Sequence, residues 1–360
     1  MKNSNTYVAI MAGGVGSRFW PSSREQKPKQ FLDILGVGKS LLRMTFERFL
    51  NIVPASNILI LTNEIYKDLV LEHLPELSEN QILLEPSRNN TAPCIAYTAL
   101  RLKVQDPDAV FVVAPSDHII LKEDTFTQNI NKALDYANLH DVLITLGIAP
   151  TRPDTGYGYI NYLPENENGI HKVKRFAEKP DLDTARFFLA SGDYLWNAGI
   201  FVWKAENVLK ALRKYAGGVL DVLEKGISDY NTLSEKEFIK ANYPNTPNIS
   251  IDFAIMEKAE NVYTIPSDLG WSDLGTWASL YAECDKDENA NANQATASIL
   301  MDTKNCLVRS SNGKLVVIKG LEDYIVIDEP DVLMIYPKSK EQEVKQVTQA
   351  VEKQFGGKFS

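Results

Sequence analysis

A glycine-rich, basic segment follows the first apolar run of the chain. The run YVAIMA (7–12) has the composition of a buried strand, and AGGVGSRFWPSSREQKPKQF (12–31) continues directly from it. Glycines after a strand let backbone N–H groups approach phosphate oxygens, and open α/β sheets bind phosphates at this position. Arg18 could bind phosphate oxygens through two parallel hydrogen bonds, and Lys29 could supply a second positive charge. The spacing suits a phosphate-binding loop, although an ordinary turn with solvated charges would look the same.

Two common phosphate-binding motifs do not fit this segment. A dinucleotide-binding G-x-G-x-x-G motif beginning at Gly14 and Gly16 would need a third glycine at the position of Phe19. A P-loop ending in GKS (38–40) would need its first glycine at the position of Asp33. We therefore interpret GKS as a turn ahead of a helix cap. The remaining pattern is G-G-x-G-x-R, followed by P-x-S-R and P-K-Q-F.

Seven short motifs rich in glycine, aromatic and acidic residues lie further along the chain. They are EPSRNNTAPCIA (85–96), PSDH (115–118), TGYGYI (155–160), FAEKP (176–180), YLWNAGIFVW (194–203), SIDFAIMEK (250–258) and WSDLGTW (271–277). Together with GGVGSRFWPSSREQKPKQF they resemble, in order, the signature sequences of the sugar-1-phosphate nucleotidylyltransferases. FWPSSR and PKQF resemble the mannose-1-phosphate guanylyltransferases within that family.

The resemblance implies a reaction between GTP and mannose 1-phosphate that forms GDP-mannose and pyrophosphate. A phosphate oxygen of the sugar phosphate would attack the α-phosphorus of GTP. This oxygen is mostly ionised at neutral pH, because the second pKa of a phosphate monoester is about 6. No general base is needed, which agrees with a sequence that has only four histidines and no Ser-His-Asp pattern. Catalysis would depend on positioning and on positive charge.

The resemblance assigns the phosphates to the loop and to two aspartates. Arg18 and the backbone N–H groups of the loop would bind the leaving pyrophosphate, and Lys29 would bridge the phosphates near the reacting centre. Asp117 and Asp273 would hold Mg²⁺, with Mn²⁺ as an alternative, since both ions accept oxygen ligands. Taken singly, each aspartate could equally be a loop cap or a solvated carboxylate. The loop glycines whose N–H groups would bind the pyrophosphate are Gly13, Gly14 and Gly16.

The segment after the predicted strand at 81–85 offers a pocket for the base. Guanine presents two adjacent donors, N1–H and N2–H₂, and the Glu85 carboxylate could accept both while rejecting adenine. Relatives that use thymidine or uridine triphosphate tend to have glutamine at this position. Asn89, Asn90 and Thr91 could add contacts to the base or ribose, although these residue types also suit turns.

The resemblance places the sugar phosphate against a second group of residues. Gly158 lies in a strand pattern, where a glycine indicates either close approach of a ligand or a bulge. Glu178 could accept hydrogen bonds from two sugar hydroxyls, Lys179 could meet the sugar phosphate, and Asn197 could contact a further hydroxyl. The SIDFAIMEK motif predicts a structural helix over 251–260, to which we assign no chemistry.

The elements that must position these residues alternate along the chain. Continuous apolar runs indicate buried strands, and the stretches between them predict helices. This alternation predicts a doubly wound, Rossmann-like α/β domain with a mixed sheet over residues 1–285. Residues 290–360 show short strands separated by turn residues such as SNG, then an amphipathic helix. They predict a small β-rich domain, which by resemblance is left-handed β-helix-like. The predicted strands are 7–12, 57–62, 81–85, 109–115 and 142–148, and the predicted helices include 40–50, 92–103, 126–140, 205–225 and 251–260.

Composition narrows the class of protein. The formal net charge of -9 argues against non-specific nucleic-acid binding, which needs a basic face. The three cysteines have no CxxC spacing, so no zinc or redox motif is expected, and reduced thiols favour the cytoplasm. No apolar stretch approaches the roughly 20 residues that span a bilayer, so no membrane association is expected.

Several alternatives remain for the function and assembly. The chain could be a nucleotidylyltransferase for another nucleotide or hexose 1-phosphate, or a catalytically silent relative that binds nucleotide sugars and regulates a partner. A bifunctional enzyme with a phosphomannose isomerase module is not expected, because no His-rich barrel follows residue 290. A homodimer is expected by analogy with the family alone.

Overall fold

The computed structural model of the chain describes residues 5–359, with the backbone alone at 311 and 312. The described chain forms two compact units that do not follow chain order. The first unit contains the residues up to Gly13, Thr45–Ser116 and Ile120–Trp271, and the second contains Gly14–Met44, Asp117–Ile119 and the residues from Ser272 onward. The predicted domains 1–285 and 290–360 follow chain order and stay a prediction.

Strands and helices alternate along the chain as the sequence predicts. The described strands are β1 (Thr6–Met11), β2 (Ile58–Asn63), β3 (Ile82–Glu85), β4 (Val110–Pro115), β5 (Ile119–Ile120), β6 (Leu143–Ile148), β7 (Tyr159–Glu167), β8 (Ile170–Ala177), β9 (Tyr194–Lys204), β10 (Val262–Pro266), β11 (Trp271–Ser272), β12 (Ala292–Met301), β13 (Leu307–Lys319), β14 (Tyr324–Asp328) and β15 (Leu333–Pro337). The described helices are α1 (Leu41–Leu50), α2 (Lys67–His73), α3 (Thr91–Gln105), α4 (Glu123–Leu139), α5 (Leu182–Ser191), α6 (Ala205–Tyr215), α7 (Gly217–Leu223), α8 (Glu235–Asn242), α9 (Trp277–Glu283) and α10 (Val344–Phe355).

The first unit is built on a nine-stranded mixed sheet with the order β3-β2-β1-β4-β9-β6-β10-β8-β7. β1 pairs in parallel with β2 and β4, and β2 pairs in parallel with β3, so the carboxyl ends of these four strands share one edge. β9 pairs antiparallel with β4 and β6. β1, β2 and β4 are almost entirely buried, which explains their continuously apolar sequences. The predicted α/β fold with a mixed sheet is confirmed.

Two predicted helices of the first unit differ in detail from the structure. The helix predicted over 205–225 is two helices, α6 and α7, because Ala216 leaves the helical region with φ -145° and ψ 43°. The helix predicted over 251–260 is a short π-helical turn, Asp252–Met256. Single π-helical turns occur often at functional sites.

The second unit has a core of its own. Phe19 of the glycine-rich loop packs on Trp277 of α9, with the ring centroids 4.7 Å apart. Val344 of α10 is buried in the same cluster, and Val347 and Val351 pack beside it, which confirms the predicted amphipathic helix. The C-terminal strands form a sheet with the order β12-β13-β14-β15, parallel except for the antiparallel β14–β15 pair.

Two predicted turns have different outcomes. The turn predicted at SNG is wrong, because β13 continues through it and Gly313 takes φ 64° inside the strand. The turn predicted at GKS is confirmed as a cap, since Ser40 Oγ accepts from the Arg43 N–H at 3.2 Å. No helix in the described part of the chain is long and apolar enough to cross a membrane.

Candidate active site

The loop after β1 folds back on itself around Gly16. Gly16 has a left-handed backbone, with φ 65° and ψ 36°, which favours glycine. A Cβ atom at this position would lie 2.6 Å from the Cβ of Lys29, so the loop also needs the missing side chain. The Gln30 amide donates to the Gly14 carbonyl at 2.9 Å and closes the turn. The glycine spacing therefore serves the close approach of Lys29 to the loop.

Lys29 connects the loop to the segments that carry the two predicted metal ligands. Its side chain is only 5% exposed, and Nζ lies 2.8 Å from Asp117 Oδ2. Nζ also donates to the backbone carbonyls of Asp273 and Leu274, both at 2.9 Å. These three acceptors match the three donors of an ammonium group. The structure thus brings together Lys29, Asp117 and Asp273, which are far apart in the sequence.

The Asp117 carboxyl stays ionised in this setting. Burial raises its pKa, but Lys29 and His118 lower it by more, so the pKa of Asp117 lies below its usual value. Asp273 Oδ1 accepts from the Gly275 N–H at 3.0 Å. Among the described residues, no group of three or more His, Cys, Asp or Glu side chains could hold a metal ion. The two aspartates therefore offer a partial set of oxygen ligands, which phosphate oxygens and water could complete.

The outer part of the loop is open to solvent. Arg18 lies on the 3-10 turn Ser17–Phe19, and both Arg18 and Gly14 are exposed. A Cβ atom on Gly14 would meet nothing within 4 Å. The backbone and the guanidinium on this side of the loop are therefore accessible to an anion.

Glu85 ends β3 at the sheet edge where β1 leads into the loop. Its Oε2 lies 3.6 Å from the position of a Cβ on Gly13, so the carboxylate sits against the first glycine of the loop. Tyr243 donates its hydroxyl to Glu85 Oε1, and the Cys94 thiol also hydrogen-bonds to the carboxylate. Burial raises the pKa of Glu85 to about 7, although both hydrogen bonds act in the opposite direction.

The three polar residues predicted to contact the base or ribose have structural partners. The Asn89 amide donates to the carbonyl and hydroxyl oxygens of Thr246 at 3.0 and 2.9 Å. Asn90 caps α3 by accepting from the Thr91 N–H at 2.9 Å. Thr91 Oγ1 in turn accepts from the Ile251 N–H at 2.8 Å. These bonds fix the segment that follows Glu85, and ligand contact at these residues stays a prediction.

The predicted sugar-phosphate residues lie together in the first unit. The Glu178 side chain is 4% exposed, and its Oε1 accepts from Lys179 Nζ at 2.5 Å. A Cβ atom on Gly158 would lie 2.6 Å from Glu178 Oε2, so this glycine makes room for the carboxylate. The Gly158 carbonyl also accepts from the Asn197 N–H at 2.8 Å. Gly158 therefore makes room for the Glu178 side chain, and its contact with a ligand stays a prediction.

Asn197 hydrogen-bonds to the Asp252 carboxylate, for which the sequence predicted no role in the site. Asn197 Oδ1 accepts from the Gly199 N–H at 3.1 Å, which orients the amide so that Nδ2 donates to Asp252 Oδ1 at 3.0 Å. Burial and the charge of Glu178 raise the pKa of Asp252 to about 7, while Lys179 lowers it. Two carboxyl groups whose charges interact suit a ligand with several hydroxyl groups.

Comparison with known proteins gives two family matches. Residues 7–290 match the family described as Nucleotidyl transferase, and residues 296–351 match the MannoseP isomerase/GMP-like beta-helix domain. The chain belongs to the nucleotidyl transferase family. It is 37% identical over 356 residues to the alginate biosynthesis protein AlgA of Pseudomonas putida, covering 96% of this chain and 71% of that protein. It is also 37% identical over 366 residues to mannose-1-phosphate guanylyltransferase 2 of Escherichia coli O157:H7, covering 98% of this chain and 75% of that protein.

A solved structure shows the same architecture as this nucleotidyl transferase. The crystal structure described as mannose-1-phosphate geranyltransferase from Thermus thermophilus has a TM-score of 0.87 at 29% identity, covering 97% of this chain and 99% of that one. The fold predicted from the sequence, an α/β nucleotidyl transferase domain with a C-terminal β-helix-type domain, is confirmed.

Three residues that contact the candidate site residues were missed by sequence reasoning. They are Cys94, Tyr243 and Asp252. Cys94 and Asp252 lie inside motifs that carry the resemblance, but their types also suit a helix interior and a helix start. Tyr243 lies in none of those motifs and is 158 residues from its partner Glu85. Only the folded chain shows that these side chains face the predicted ones.

Proposed function

We propose that the chain transfers GMP from GTP to α-D-mannose 1-phosphate and forms GDP-mannose and pyrophosphate. The observation that carries the proposal is the Glu85 carboxylate, which lies against Gly13 where the phosphate loop begins. A carboxylate at this position can hydrogen-bond to the base of a nucleotide whose phosphates lie along the loop. Curated relatives named mannose-1-phosphate guanylyltransferase support the same assignment.

The chemistry of the base favours guanine. When it is ionised, the Glu85 carboxylate accepts hydrogen bonds and donates none, and guanine presents adjacent N1–H and N2–H₂ donors. Adenine presents an acceptor at N1, which a carboxylate repels. Uracil and thymine present one N–H between two carbonyl oxygens, so they satisfy the carboxylate less well. Asn89, Asn90 and Thr91 support this proposal by fixing the segment after Glu85.

In the proposed reaction, a phosphate oxygen of the sugar phosphate forms a bond to the α-phosphorus of GTP. The bond from that phosphorus to the bridging oxygen of the β-phosphate breaks, and pyrophosphate leaves with the electron pair. No proton has to be removed, because the attacking phosphate is mostly dianionic above its second pKa of about 6. The protein therefore has to align the reactants and offset their charge.

The proposal assigns the phosphates to the loop and its cations. The N–H groups of the loop glycines and the accessible guanidinium of Arg18 would bind the leaving pyrophosphate. Lys29 would meet the phosphates by exchanging one of the three acceptors that it now holds. The loop glycines are Gly13, Gly14 and Gly16.

Asp117 and Asp273 would hold the divalent cation, Mg²⁺ or Mn²⁺. The donor set fits such an ion, because both side chains are carboxylates and Asp117 stays ionised beside Lys29. When bound, the ion would offset phosphate charge and polarise the phosphorus–oxygen bonds.

The sugar phosphate is assigned to the second group of residues. Glu178 and Asp252 would accept hydrogen bonds from sugar hydroxyls, and Lys179 would meet the phosphate. Asn197 would orient Asp252 through the bond that it donates. Gly158 would keep the space that Glu178 occupies.

A substrate comparison tests this function directly. Purified protein would be assayed for pyrophosphate release with GTP, UTP, dTTP and ATP, each with mannose 1-phosphate and with glucose 1-phosphate. We expect the highest kcat/KM with GTP and mannose 1-phosphate, and GDP-mannose as the product by chromatography. A preference for UTP or dTTP would contradict the guanine assignment. Nucleotide-sugar binding without turnover would favour the silent relative.

The proposal also includes a homodimer and a cytoplasmic location. The homodimer rests on analogy with the family. The cytoplasmic location rests on the reduced cysteines, and all three are free in the structure. Light scattering of the purified protein tests the dimer, and a mass near 40.3 kDa would contradict it.

A further inference from the structure

Glu85 has a buried partner, Tyr243, that lies outside every motif of the family resemblance. The Tyr243 side chain is fully buried, and its hydroxyl donates to Glu85 Oε1. Burial and the charge of Glu85 raise the pKa of Tyr243 well above its usual value, so the hydroxyl keeps its proton. One oxygen of the Glu85 carboxylate is therefore held by a hydroxyl group of the protein interior.

Tyr243 is itself held on two sides. Asn89 donates its amide to the carbonyls of Tyr243 and Thr246 at 3.2 and 3.0 Å. The Tyr97 ring meets the Tyr243 ring edge-on, with the centroids 6.5 Å apart. Tyr97 is anchored in turn by donating to Glu235 Oε1 at 2.5 Å. The Tyr243 hydroxyl has little freedom to follow the carboxylate, so the carboxylate takes the position that this hydroxyl sets.

Cys94 provides a second inner donor to Glu85. Burial and the carboxylate raise the pKa of the Cys94 thiol well above its usual value, so the thiol stays protonated and can donate. With inner donors at Tyr243 and Cys94, the carboxylate keeps Oε2 against Gly13. Tyr243 and Cys94 are the titratable side chains in the described part of the chain that act on Glu85.

We propose that Tyr243, assisted by Cys94, is the positioning residue that sets base selectivity by fixing the rotamer of Glu85 as a hydrogen-bond acceptor. This inference rests on the guanine-reading role proposed for Glu85. A carboxyl group that carries a proton can donate to the base, and one that rotates freely does not hold its acceptor oxygens opposite the two guanine donors. Either change weakens the selection of guanine. Because the Tyr243 bond lowers the pKa of Glu85, its removal should raise that pKa.

The test measures KM for GTP against pH at saturating mannose 1-phosphate. In the wild type, KM for GTP should rise as the pH falls through the Glu85 pKa of about 7, since the protonated carboxyl no longer accepts from guanine. In Tyr243→Phe, the midpoint should move to higher pH. KM for GTP near neutral pH should increase roughly tenfold, as expected for one lost hydrogen bond. kcat and the KM for mannose 1-phosphate should stay unchanged.

Tyr230→Phe is the matched control. Tyr230 is also buried beside Tyr97, but its hydroxyl donates to the Leu223 carbonyl at 2.7 Å, away from Glu85. The pH midpoint of KM for GTP in Tyr230→Phe should equal that of the wild type. Glu85→Gln removes the titration of this carboxyl and leaves that of the substrate phosphates, which isolates the Glu85 contribution.

The outcomes separate this inference from the proposed function. An unchanged midpoint in Tyr243→Phe, with a wild type that prefers GTP, overturns the positioning role. A wild type without a preference for GTP overturns the proposed function instead.

Cys94 variants give a second test in case Tyr243→Phe does not fold. Cys94→Ala removes a donor and should shift the midpoint of KM for GTP upward by a smaller amount. Cys94→Ser restores a donor and should return the midpoint toward that of the wild type. Equal midpoints in Cys94→Ala and the wild type would contradict the arrangement of inner donors.

Discussion

Asp117 is an ionised side chain whose partner, Lys29, is buried and has two further acceptors. Replacing Asp117 with asparagine removes the charge but keeps the shape and one acceptor oxygen. The fold should survive, because Lys29 retains the carbonyls of Asp273 and Leu274. kcat should fall roughly 100-fold or more, since charge compensation at the reacting phosphates is lost. Steady-state kinetics and a thermal unfolding curve measure the two effects, and a near-normal kcat would remove Asp117 from the proposed cation site.

A second prediction at the residue scale concerns Asp252, which belongs to the proposed sugar site. Asp252→Asn should raise KM for mannose 1-phosphate roughly tenfold by weakening one charge-assisted hydrogen bond. KM for GTP should not change. Asp181→Asn is the control, since Asp181 caps α5 by accepting from the Thr184 N–H at 2.9 Å. Equal effects of the two substitutions on KM for mannose 1-phosphate would show that Asp252 has no part in sugar binding.

At the scale of elements, the loop between β1 and α1 depends on two separate properties of Gly16. Gly16→Ala should strain the left-handed backbone and also push Lys29 away, because the new Cβ would lie 2.6 Å from the lysine Cβ. Gly38→Ala is the matched control, since Gly38 has φ 79° but nothing within 4 Å of its Cβ position. Each alanine should cost roughly 1–2 kcal/mol in the free energy of unfolding through backbone strain. Only Gly16→Ala should also reduce kcat, and equal kcat values in the two variants would refute this role of the glycine.

At the scale of the whole molecule, the second unit joins the loop to the C-terminal segment in one core. Val344 is buried in the cluster that contains Phe19, and Trp20 Nε1 donates to the Phe359 carbonyl at 2.7 Å. Removing residues 344–360 should lower the melting temperature and kcat together, although no catalytic role is assigned there. Leu315→Ala is the control, since Leu315 is 61% exposed and its loss should change neither quantity. Full activity of the truncated chain would show that the loop does not need this core.

The sequence predicted the sheet well because its central strands are buried on both faces. β1, β2 and β4 need continuous apolar residues, and that requirement is visible in the chain. It predicted less well where local patterns compete with packing. SNG has turn residues, yet β13 passes through it because β13 pairs with β12 on both sides of Gly313, with a register shift between Ala295 and Ala297.

Several candidate site residues could be named from the sequence because their types suit the proposed chemistry and their motifs are distinctive. Lys29, Asp117 and Glu85 belong to this group. Their partners were not predictable, because a hydrogen bond between distant residues depends on where the chain returns. Tyr243 donates to Glu85 from a turn that Asn89 holds in place by a hydrogen bond. No local sequence pattern indicates this contact.

The sequence by itself determined the family, the order of the strands and helices along the chain, and the chemical types needed for phosphates and a base. These follow from local composition and from motifs read in order. The tertiary structure alone decided that Lys29 contacts Asp117 and two backbone carbonyls, and that the charge of Glu178 acts on Asp252. It also decided that two buried donors hold Glu85. The physical reason is that burial and charge act over short distances in space, and the folded backbone sets those distances.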